Sequence, residues 1–525
     1  MSKQQQNDFV KGALFLTIAG FLGKILSASY RIPLQNLTGD HGFYIYQQVY
    51  PFLGMMIILS LYGFPSAIAK IIADEERKGH AISFRTVYFP VFFLLLLGFS
   101  VIAIIFFRYT TEIATFIGDP KLVKSFRWLA LAILFIPVTS LLRGIFQGHQ
   151  QMHAIAYSQI SEQLVRVVII ITAAIFTFYG YLHIYDIGVF GVIASIGGAL
   201  AAIIILLIFL KNTPLTQAGT NEYSWRSYGK TLLLFGVVAS LNHMILLLIQ
   251  FADVFTLVPQ LIKNGLASIE AMELKGVFDR GMPLIQLGTV IGSSFGLALV
   301  PTVARGDEEA SHEAVETALK ISFFVSVGAA LGLILIFKET NILLYKNALG
   351  TTSLQVLSLS ISFSALSITT LSILQSLGYF KRTALFMLCS FGLKWVGNVL
   401  LVPIYGIMGS ALATVGSLLF LFVVSVLQLR RVMPLLRVMT SRRFRALVVA
   451  VLSMASFIVV MKWAFSFLDI SSRLGLLGYV LSLVVGGAGT FMFVLIRLRV
   501  FSRNELAAFP LSKVLLWVYE GRDDR

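Results

Sequence analysis

The sequence contains a single cysteine, Cys389, and few charged residues. One cysteine excludes both an intrachain disulfide framework and a zinc site built from several thiolates. Charged residues make up only 13% of the 525 residues, whereas 57% are hydrophobic, and soluble domains are on average about half apolar. The composition therefore argues against an ordinary soluble domain and predicts a chain that uses lipid as its solvent.

Motifs of covalent catalysis are also lacking, since the chain has no phosphate-binding Walker loop and no nucleophile elbow. His149 and His153 have the spacing of two metal ligands, but they fall in a short predicted loop without a third ligand. No predicted loop is long enough to fold into a catalytic domain. We predict that the protein is not an enzyme and uses neither a metal nor a cofactor.

Long apolar stretches recur along the whole chain. About 20 mostly apolar residues cross a bilayer as a helix, and these stretches are apolar all round and too long for the strands of a barrel. The sequence predicts an all-α integral membrane protein with about 14 transmembrane helices. The predicted spans are about 9-30, 43-70, 86-107, 125-147, 155-179, 187-210, 229-252, 276-303, 314-337, 353-377, 383-402, 405-428, 445-467 and 474-497.

Basic residues concentrate in the loops on one side of these spans. The loop after the twelfth span contains Arg430, Arg431, Arg442 and Arg443, and basic residues also follow the last span. Loops rich in Lys and Arg face the cytoplasm, which places both termini there, as an even number of spans requires. The net charge of +16 is therefore explained by membrane orientation, and we predict no nucleic-acid partner.

Two halves of the first twelve spans resemble each other. PSAIAK at 65–70 precedes DEE at 74–76, and PTVAR at 301–305 precedes DEE at 307–309. Glycines at the start of the sixth span recur at the start of the twelfth. Parallel repeats of this kind build many transporters. We predict an N-terminal six-helix bundle (1-211), a C-terminal six-helix bundle (229-429), an additional helix pair (445-497) and a cytoplasmic interfacial tail (500-525), which the capping box at Ser502 and Glu505 begins.

Ionisable residues inside the spans are few, and each costs several kcal/mol unless it faces water or a partner. Lys24 and Arg31 are two helical turns apart and share one face of the first helix. Asp279 and Arg280 begin the eighth span, and both are candidates for substrate binding. We predict that Lys24, Arg31 and Arg280 line a cationic cavity for a phosphate or pyrophosphate, which arginine binds through paired hydrogen bonds. The alternative is that Arg31 and Arg280 extend to the membrane surface.

Glu162 and Arg166 have the spacing of an ion pair on one face of the fifth helix. A self-neutralised structural pair is the simpler interpretation, and both residues are also candidates for substrate binding.

Lys394 and Asn398 share a face of the eleventh helix, and Thr414 lies in the twelfth. A buried lysine needs a counter-charge, for which Asp253 at the end of the seventh span is a candidate. These four residues are predicted to form either a coupling-ion site, in which the ammonium replaces a metal cation, or a latch between helices.

Three stretches carry a family resemblance: GKILSASYRIPL at 23–34, SQISEQLVRVV at 158–168 and FDRGMPLIQLGTVIGSSFGLALVPTVAR at 278–305. The chain resembles the multidrug/oligosaccharidyl-lipid/polysaccharide exporter superfamily, and within it the branch of stage V sporulation protein B and MurJ-like lipid flippases. The resemblance implies export of an undecaprenyl-pyrophosphate-linked cell-wall precursor, with lipid II first among candidates, by alternating access. YPFLGMM at 50–56 departs from the family pattern, which has basic residues there.

The resemblance also assigns roles to residues. Lys24, Arg31 and Arg280 match basic positions that hold the pyrophosphate, and the last two helices match a pair that shapes a groove for the lipid tail. Some relatives bind sodium at places that match Asp253, Lys394, Asn398 and Thr414, and a lysine there predicts sodium-independent transport. The implied location is the bacterial cytoplasmic membrane.

Partners and alternatives follow from the same considerations. The expected partners of a monomeric transporter are the lipid-linked oligosaccharide, membrane lipids and cell-wall synthesis proteins. A multidrug antiporter of the same superfamily is the first alternative, although such proteins need acidic cavities for cationic drugs. A membrane-embedded glycosyltransferase or polymerase is the second.

Overall fold

The computed structural model describes residues 20, 22–23, 25–80, 82–211, 224–303, 308–434, 439–467, 472–507, 509 and 512–520. Every regular element in these residues is a helix, which confirms the all-α fold. Contacts divide the chain into two compact units that meet between Asp279 and Arg280. This boundary lies after the seventh predicted span, whereas the predicted N-terminal bundle ends at residue 211, before that span. The internal repeats and the four domain ranges stay predictions.

In the first unit, helical residues 25–29 are followed by twelve α-helices among the described residues. They are α1 (Arg31–Ile58), α2 (Phe64–Arg77), α3 (Phe89–Arg108), α4 (Thr110–Ile117), α5 (Val123–Ile133), α6 (Ile136–Gly148), α7 (Met152–Phe178), α8 (Asp186–Leu210), α9 (Trp225–Thr231), α10 (Val237–Leu241), α11 (Ile245–Lys263) and α12 (Ser268–Asp279). π-helical turns cover Leu59–Gly63, Phe84–Tyr88 and Leu232–Gly236, and 3-10 turns cover Pro120–Leu122 and Asn242–Met244. Prolines stand in the first turns of α2, α3 and α6, where no backbone hydrogen bond is lost.

The second unit contains ten α-helices among its described residues. They are α13 (Gly281–Val303), α14 (Glu308–Tyr345), α15 (Thr351–Ser358), α16 (Ser360–Ser376), α17 (Phe380–Tyr405), α18 (Ile407–Val432), α19 (Ser441–Phe465), α20 (Arg473–Arg497), α21 (Arg503–Ala507) and α22 (Ser512–Glu520).

Twelve helical segments of the described chain are long and apolar enough to cross a membrane. The first of them, Ile25–Arg77, has 53 residues, far more than the 20 or so that one crossing needs. Gly39 interrupts it with a φ of 70°, a backbone conformation that favours glycine. The predicted span 9-30 lies mostly outside the described residues, and α13, which covers the eighth predicted span, is not among the twelve. The number fourteen stays a prediction.

The seventh predicted span differs most from the structure. The sequence places its end at residue 252, whereas the crossing segment runs from Ile245 to Lys263. Asp253, which the sequence places at the end of this span, is instead buried in the middle of α11 together with Gln260. The residues before α11 form α9, a π-helical turn, α10 and a 3-10 turn instead of one continuous helix.

Two glycines let helices of the first unit approach each other closely. A Cβ atom on Gly198 of α8 would lie 2.7 Å from the carbonyl oxygen of Glu162 in α7. A Cβ atom on Gly276 of α12 would lie 2.2 Å from the carbonyl oxygen of Asp40 in α1. Small residues at such contacts are the usual means by which membrane helices pack. They bring α7 to α8, and α12 to α1, around the buried charges described below.

Hydroxyl groups join three helices of the second unit. Thr289 of α13 and Ser364 of α16 share a hydrogen bond of 2.7 Å. Ser362 donates to the carbonyl oxygen of Ser326 in α14 at 3.1 Å, and Thr369 donates to the hydroxyl of Ser322 at 3.1 Å. Interhelical hydrogen bonds of this kind in membranes contribute about 0.6 kcal/mol each, so together they favour one fixed arrangement of α13, α14 and α16.

The tail begins with the predicted capping box, which the structure confirms. The backbone N–H of Ser502 donates to Glu505 Oε2 at 2.8 Å, and the N–H of Glu505 donates to Ser502 Oγ at 3.3 Å. Glu505 also pairs with buried Lys320 of α14 at 2.5 Å, which fixes α21 to the unit. In α22, Leu515 packs against the hydrophobic core, whereas Trp517 is 76% exposed.

Candidate functional site

Arg31 is the first residue of α1 and is fully buried. Its guanidinium carbon lies 3.9 Å from the centre of the Tyr50 ring, and its Nη2 donates a long hydrogen bond of 3.4 Å to Ser27 Oγ. The hydroxyls of Tyr30 and Tyr46 are hydrogen-bonded to each other beside it. The Nε and Nη1 atoms of Arg31 have no hydrogen-bond partner among the described residues.

Arg31 therefore combines a positive charge, a dry environment and unused donors. Among the described residues, no carboxylate lies within salt-bridge distance of its guanidinium. Burying a charge in this state is costly unless a partner arrives, and a guanidinium with free N–H groups matches the oxygens of phosphate. Lys24, the other cation of the first predicted span, lies outside the described residues.

A buried ion pair lies next to α1. Lys275 Nζ contacts Asp279 Oδ2 at 2.6 Å within α12, and both side chains are almost completely buried. Arg31 and Asp253 lie near enough to Asp279 to act on its charge. The sequence analysis treated Asp279 and Arg280 as one motif and did not consider Lys275. The four-residue spacing of Lys275 and Asp279 would have predicted this ion pair.

Arg280 is fully buried in the second unit. Its Nη1 donates to Asn347 Oδ1 at 2.6 Å, and its guanidinium carbon lies 5.2 Å from the centre of the Tyr345 ring. The Tyr345 hydroxyl donates to the Arg280 carbonyl oxygen at 3.0 Å. Arg31 and Arg280 are both fully buried, so neither extends to the membrane surface as the alternative prediction proposed. A cavity lined by both residues stays a prediction.

Glu162 and Arg166 form the predicted ion pair, with Arg166 Nη2 at 2.6 Å from Glu162 Oε1. A third charge joins them, because Arg143 Nη2 of α6 lies 2.6 Å from Glu162 Oε2. Arg143 also donates to Ser158 Oγ at 3.2 Å and to the Ser60 carbonyl oxygen at 3.4 Å. The pair is therefore not self-neutralised: the three groups carry a net charge of about +1 at neutral pH. The sequence interpretation overlooked Arg143 inside the fourth span.

Lys394 is fully buried between α17 and α18. Its ammonium donates to Asn398 Oδ1 at 3.0 Å, to the Ser410 carbonyl oxygen at 3.0 Å and to Ser410 Oγ at 2.8 Å. Thr414 donates to the same carbonyl oxygen at 2.9 Å. The lysine thus occupies a set of oxygen atoms such as cations prefer. Asp253 belongs to the first unit and Lys394 to the second, and a pairing of the two stays a prediction.

A smaller polar cluster joins two loops of the first unit. The Tyr185 hydroxyl donates to Asp119 Oδ2 at 3.0 Å, and the Lys121 ammonium lies 5.3 Å from the centre of the Tyr185 ring. Burial raises the pKa of the Asp119 carboxyl, and the hydrogen bond from Tyr185 opposes that shift. Burial and the nearby Asp119 charge raise the pKa of the Tyr185 hydroxyl. The cluster ties the start of α5 to the start of α8.

No group of three or more His, Cys, Asp or Glu side chains within the described ranges has a geometry that holds a metal ion. His149, one of the two predicted ligand-spaced histidines, shares a hydrogen bond of 3.0 Å with the Tyr88 hydroxyl through its Nε2 atom. The functional groups of the described chain are thus buried cations, with tyrosines and hydroxyls around them.

The candidate site of the described chain therefore consists of buried cations on a many-helix membrane fold. The chain belongs to the family described as polysaccharide biosynthesis protein, whose model matches residues 9–307. The resemblance predicted from the sequence is therefore confirmed.

Individual relatives agree with this family. The chain is 34% identical to the uncharacterized membrane protein YabM of Bacillus subtilis (strain 168), over 96% of this chain and 95% of that protein. In the same organism it is 23% identical to the lipid II flippase MurJ, over 79% and 82%. It is also 24% identical to stage V sporulation protein B, over 97% and 99%.

A solved structure shares the fold. The inward closed conformation of the lipid II flippase MurJ superimposes with a TM-score of 0.67 at 13% sequence identity, over 92% of this chain and 99% of that one. MurJ is a flippase, which is a transporter, and the chain is accordingly a multi-pass membrane protein of a transporter family and not an enzyme.

Proposed function

We propose that this protein is a flippase that moves a polyprenyl-pyrophosphate-linked oligosaccharide, with lipid II as the first substrate to test, from the cytoplasmic to the outer leaflet by alternating access. The observation that carries the proposal is Arg31, a buried cation with two unused donor atoms and no carboxylate partner in the described chain. The similarity to the lipid II flippase MurJ of Bacillus subtilis (strain 168) supports the same cargo class.

The chemistry of such a cargo explains the charge of the site. A pyrophosphate cannot cross the bilayer centre alone, because an isolated charge there costs several kcal/mol or more. An arginine that is already desolvated supplies the compensating charge and two N–H groups directed at oxygens. A multidrug antiporter, which shares the fold, would need an acidic group at this place for its cationic drugs, and Arg31 is the opposite charge.

The same proposal includes the cellular setting. We place both termini in the cytoplasm of a bacterial cell, because the basic loops favour that orientation. The protein acts there as a monomer, with the lipid-linked precursor and membrane lipids as its partners and cell-wall synthesis proteins beside it.

Complementation of a flippase-depleted cell tests the proposal. We expect the wild-type protein to restore growth, and Arg31→Ala and Arg280→Ala to abolish the rescue while the protein still inserts in the membrane. Arg108→Ala is the matched control, because the Arg108 side chain is 74% exposed. Normal growth of both variants at the buried arginines would contradict the cationic-site model. Mass spectrometry of the lipid-linked intermediate that accumulates on depletion identifies the cargo.

A further inference from the structure

Four buried glutamines of the first unit have amide atoms that no described group satisfies. Gln47 and Gln48 lie in α1, and Gln250 and Gln260 lie in α11; none of the four is more than 7% exposed. The atoms without a hydrogen-bond partner of good geometry are Gln47 Oε1, both amide atoms of Gln48, Gln250 Nε2 and Gln260 Oε1; the Tyr44 hydroxyl lies beside the Gln48 amide. All of these atoms are neutral, so they differ in chemistry from Arg31.

Buried amides without hydrogen-bond partners lower the stability of the folded protein. A buried donor or acceptor that lacks a partner costs about 1–3 kcal/mol, and an apolar side chain of similar size would avoid this cost. These atoms on two helices are available to a hydrogen-bonding ligand during the working cycle of the protein. Each glutamine offers two donors and an acceptor, which suits hydroxyl and amide groups of a ligand.

The two helices bring these amides to one region. The Phe52 ring of α1 and the Phe251 ring of α11 are 4.7 Å apart between their centres. Gln48 lies one helical turn before Phe52, and Gln250 directly precedes Phe251, so both amides are within about one turn, some 6 Å along the axis, of the contact. The amides thus border the place where α1 and α11 pack.

Arg31 reaches the same stretch of α1. Its guanidinium lies over the ring of Tyr50, and Gln47 precedes Tyr50 by three residues, the spacing that puts two side chains on one helical face. The Arg31 guanidinium and the neutral amide of Gln47 therefore lie near the same stretch of α1. A ligand with both a phosphate and several hydroxyl or amide groups can bind to the guanidinium and to the amides.

We infer that the first unit contains a second subsite, formed by Gln47, Gln48 and Gln250, that binds the N-acetylated sugar part of the cargo next to the anion site at Arg31. The inference rests on the proposed function and adds to it that the protein recognises the glycan as well as the pyrophosphate. A bare polyprenyl pyrophosphate then binds through Arg31 alone, and a glycosylated one binds through both subsites.

Binding of two probes to the purified full-length protein tests this inference. The probes are undecaprenyl pyrophosphate and undecaprenyl pyrophosphate that carries an N-acetylated disaccharide. Gln48→Met and Gln250→Met keep the length of the side chain and remove its hydrogen bonds. We expect each to weaken binding of the glycosylated probe about tenfold, the equivalent of one good hydrogen bond, and to change binding of the bare probe less than twofold. Arg31→Met weakens both.

The control is Gln428→Met in the second unit. Gln428 is also buried, but its Oε1 accepts a hydrogen bond from Arg382 at 3.0 Å, and the ratio of the two affinities should stay at the wild-type value. Melting temperatures check the folding of every variant, and Gln47→Met replaces any that does not fold. Equal loss for both probes, or no loss for either, overturns the glycan subsite. Wild-type protein that binds neither probe refutes the proposed function instead.

Discussion

Arg31 and Arg143 are both fully buried arginines of the first unit, and replacing each by methionine should have opposite consequences. We expect Arg31→Met to fold as stably as the wild type and to lose transport. We expect Arg143→Met to unfold at a clearly lower temperature. The difference follows from their partners: Arg143 neutralises Glu162 at 2.6 Å, whereas two nitrogens of Arg31 contact no acceptor among the described residues.

The magnitudes can be estimated from these contacts. Arg31→Met removes two unsatisfied donors, which relieves about 1–3 kcal/mol each. It also removes the contact with the Tyr50 ring, about 2 kcal/mol when desolvated, and the bond to Ser27, about 1 kcal/mol. Gain and loss nearly cancel. Arg143→Met leaves Glu162 paired with Arg166, but it removes the charge-assisted bond between Arg143 and Glu162, about 1.5–3 kcal/mol, and the bonds of Arg143 to Ser158 and Ser60, about 1 kcal/mol each.

Thermal unfolding of the detergent-purified proteins, followed by tryptophan fluorescence, measures the stability arm, and growth of a flippase-depleted cell measures the transport arm. We expect Arg31→Met to lose transport at an unchanged melting temperature, and Arg143→Met to have a lowered melting temperature. A melting temperature of Arg31→Met as low as that of Arg143→Met would show that Arg31 is a structural cation. Full growth with Arg31→Met would show that the buried charge has no part in transport.

Three further predictions concern packing, the tail and ions. Gly276→Val should abolish the folded monodisperse protein in size-exclusion chromatography, because its Cβ would lie 2.2 Å from a backbone oxygen of α1; Gly229→Val, with open space around it, is the control, and equal behaviour of the two would contradict the packing argument. Lys320→Met should destabilise the second unit by about 3 kcal/mol, since the Glu505 side chain, which is only 11% exposed, loses its cation, and should speed proteolysis of the tail. Adding Glu505→Gln should restore resistance, and failure of that rescue would disprove the pair's role. Replacing sodium by choline should leave transport unchanged, because Lys394 already supplies a cation to its oxygen ligands; a strong loss of transport would refute this.

Contacts within one helix were predictable from spacing alone. Glu162 with Arg166, and Lys394 with Asn398, are four residues apart and do form the expected bonds, because the helix fixes their geometry before any tertiary packing. The cap at Ser502 was predictable for the same reason. The transmembrane class followed from composition, since the length of an apolar run determines whether it can span lipid.

Contacts between helices were not predictable in this way. Arg143 approaches Glu162 from α6, and Ser410 approaches Lys394 from α18; which helices meet depends on the packing of the whole unit. Arg143 was nevertheless visible as a charge inside an apolar run. The unsatisfied glutamines, such as Gln48, gave no such signal, because a neutral amide is common in a sequence and becomes informative only when its burial and its missing partners are known.

The arrangement around Lys394 has a consequence for the energy source of the cycle. A metal ion held by Asn398 and Ser410 would exchange with the solution, and its occupancy would follow its concentration on either side of the membrane. The ammonium of Lys394 is covalently attached to the chain, so it does not exchange with metal ions in solution. It joins α17 and α18 through its bonds to Asn398 and Ser410, and a gradient of metal ions is not needed to fill this set of ligands.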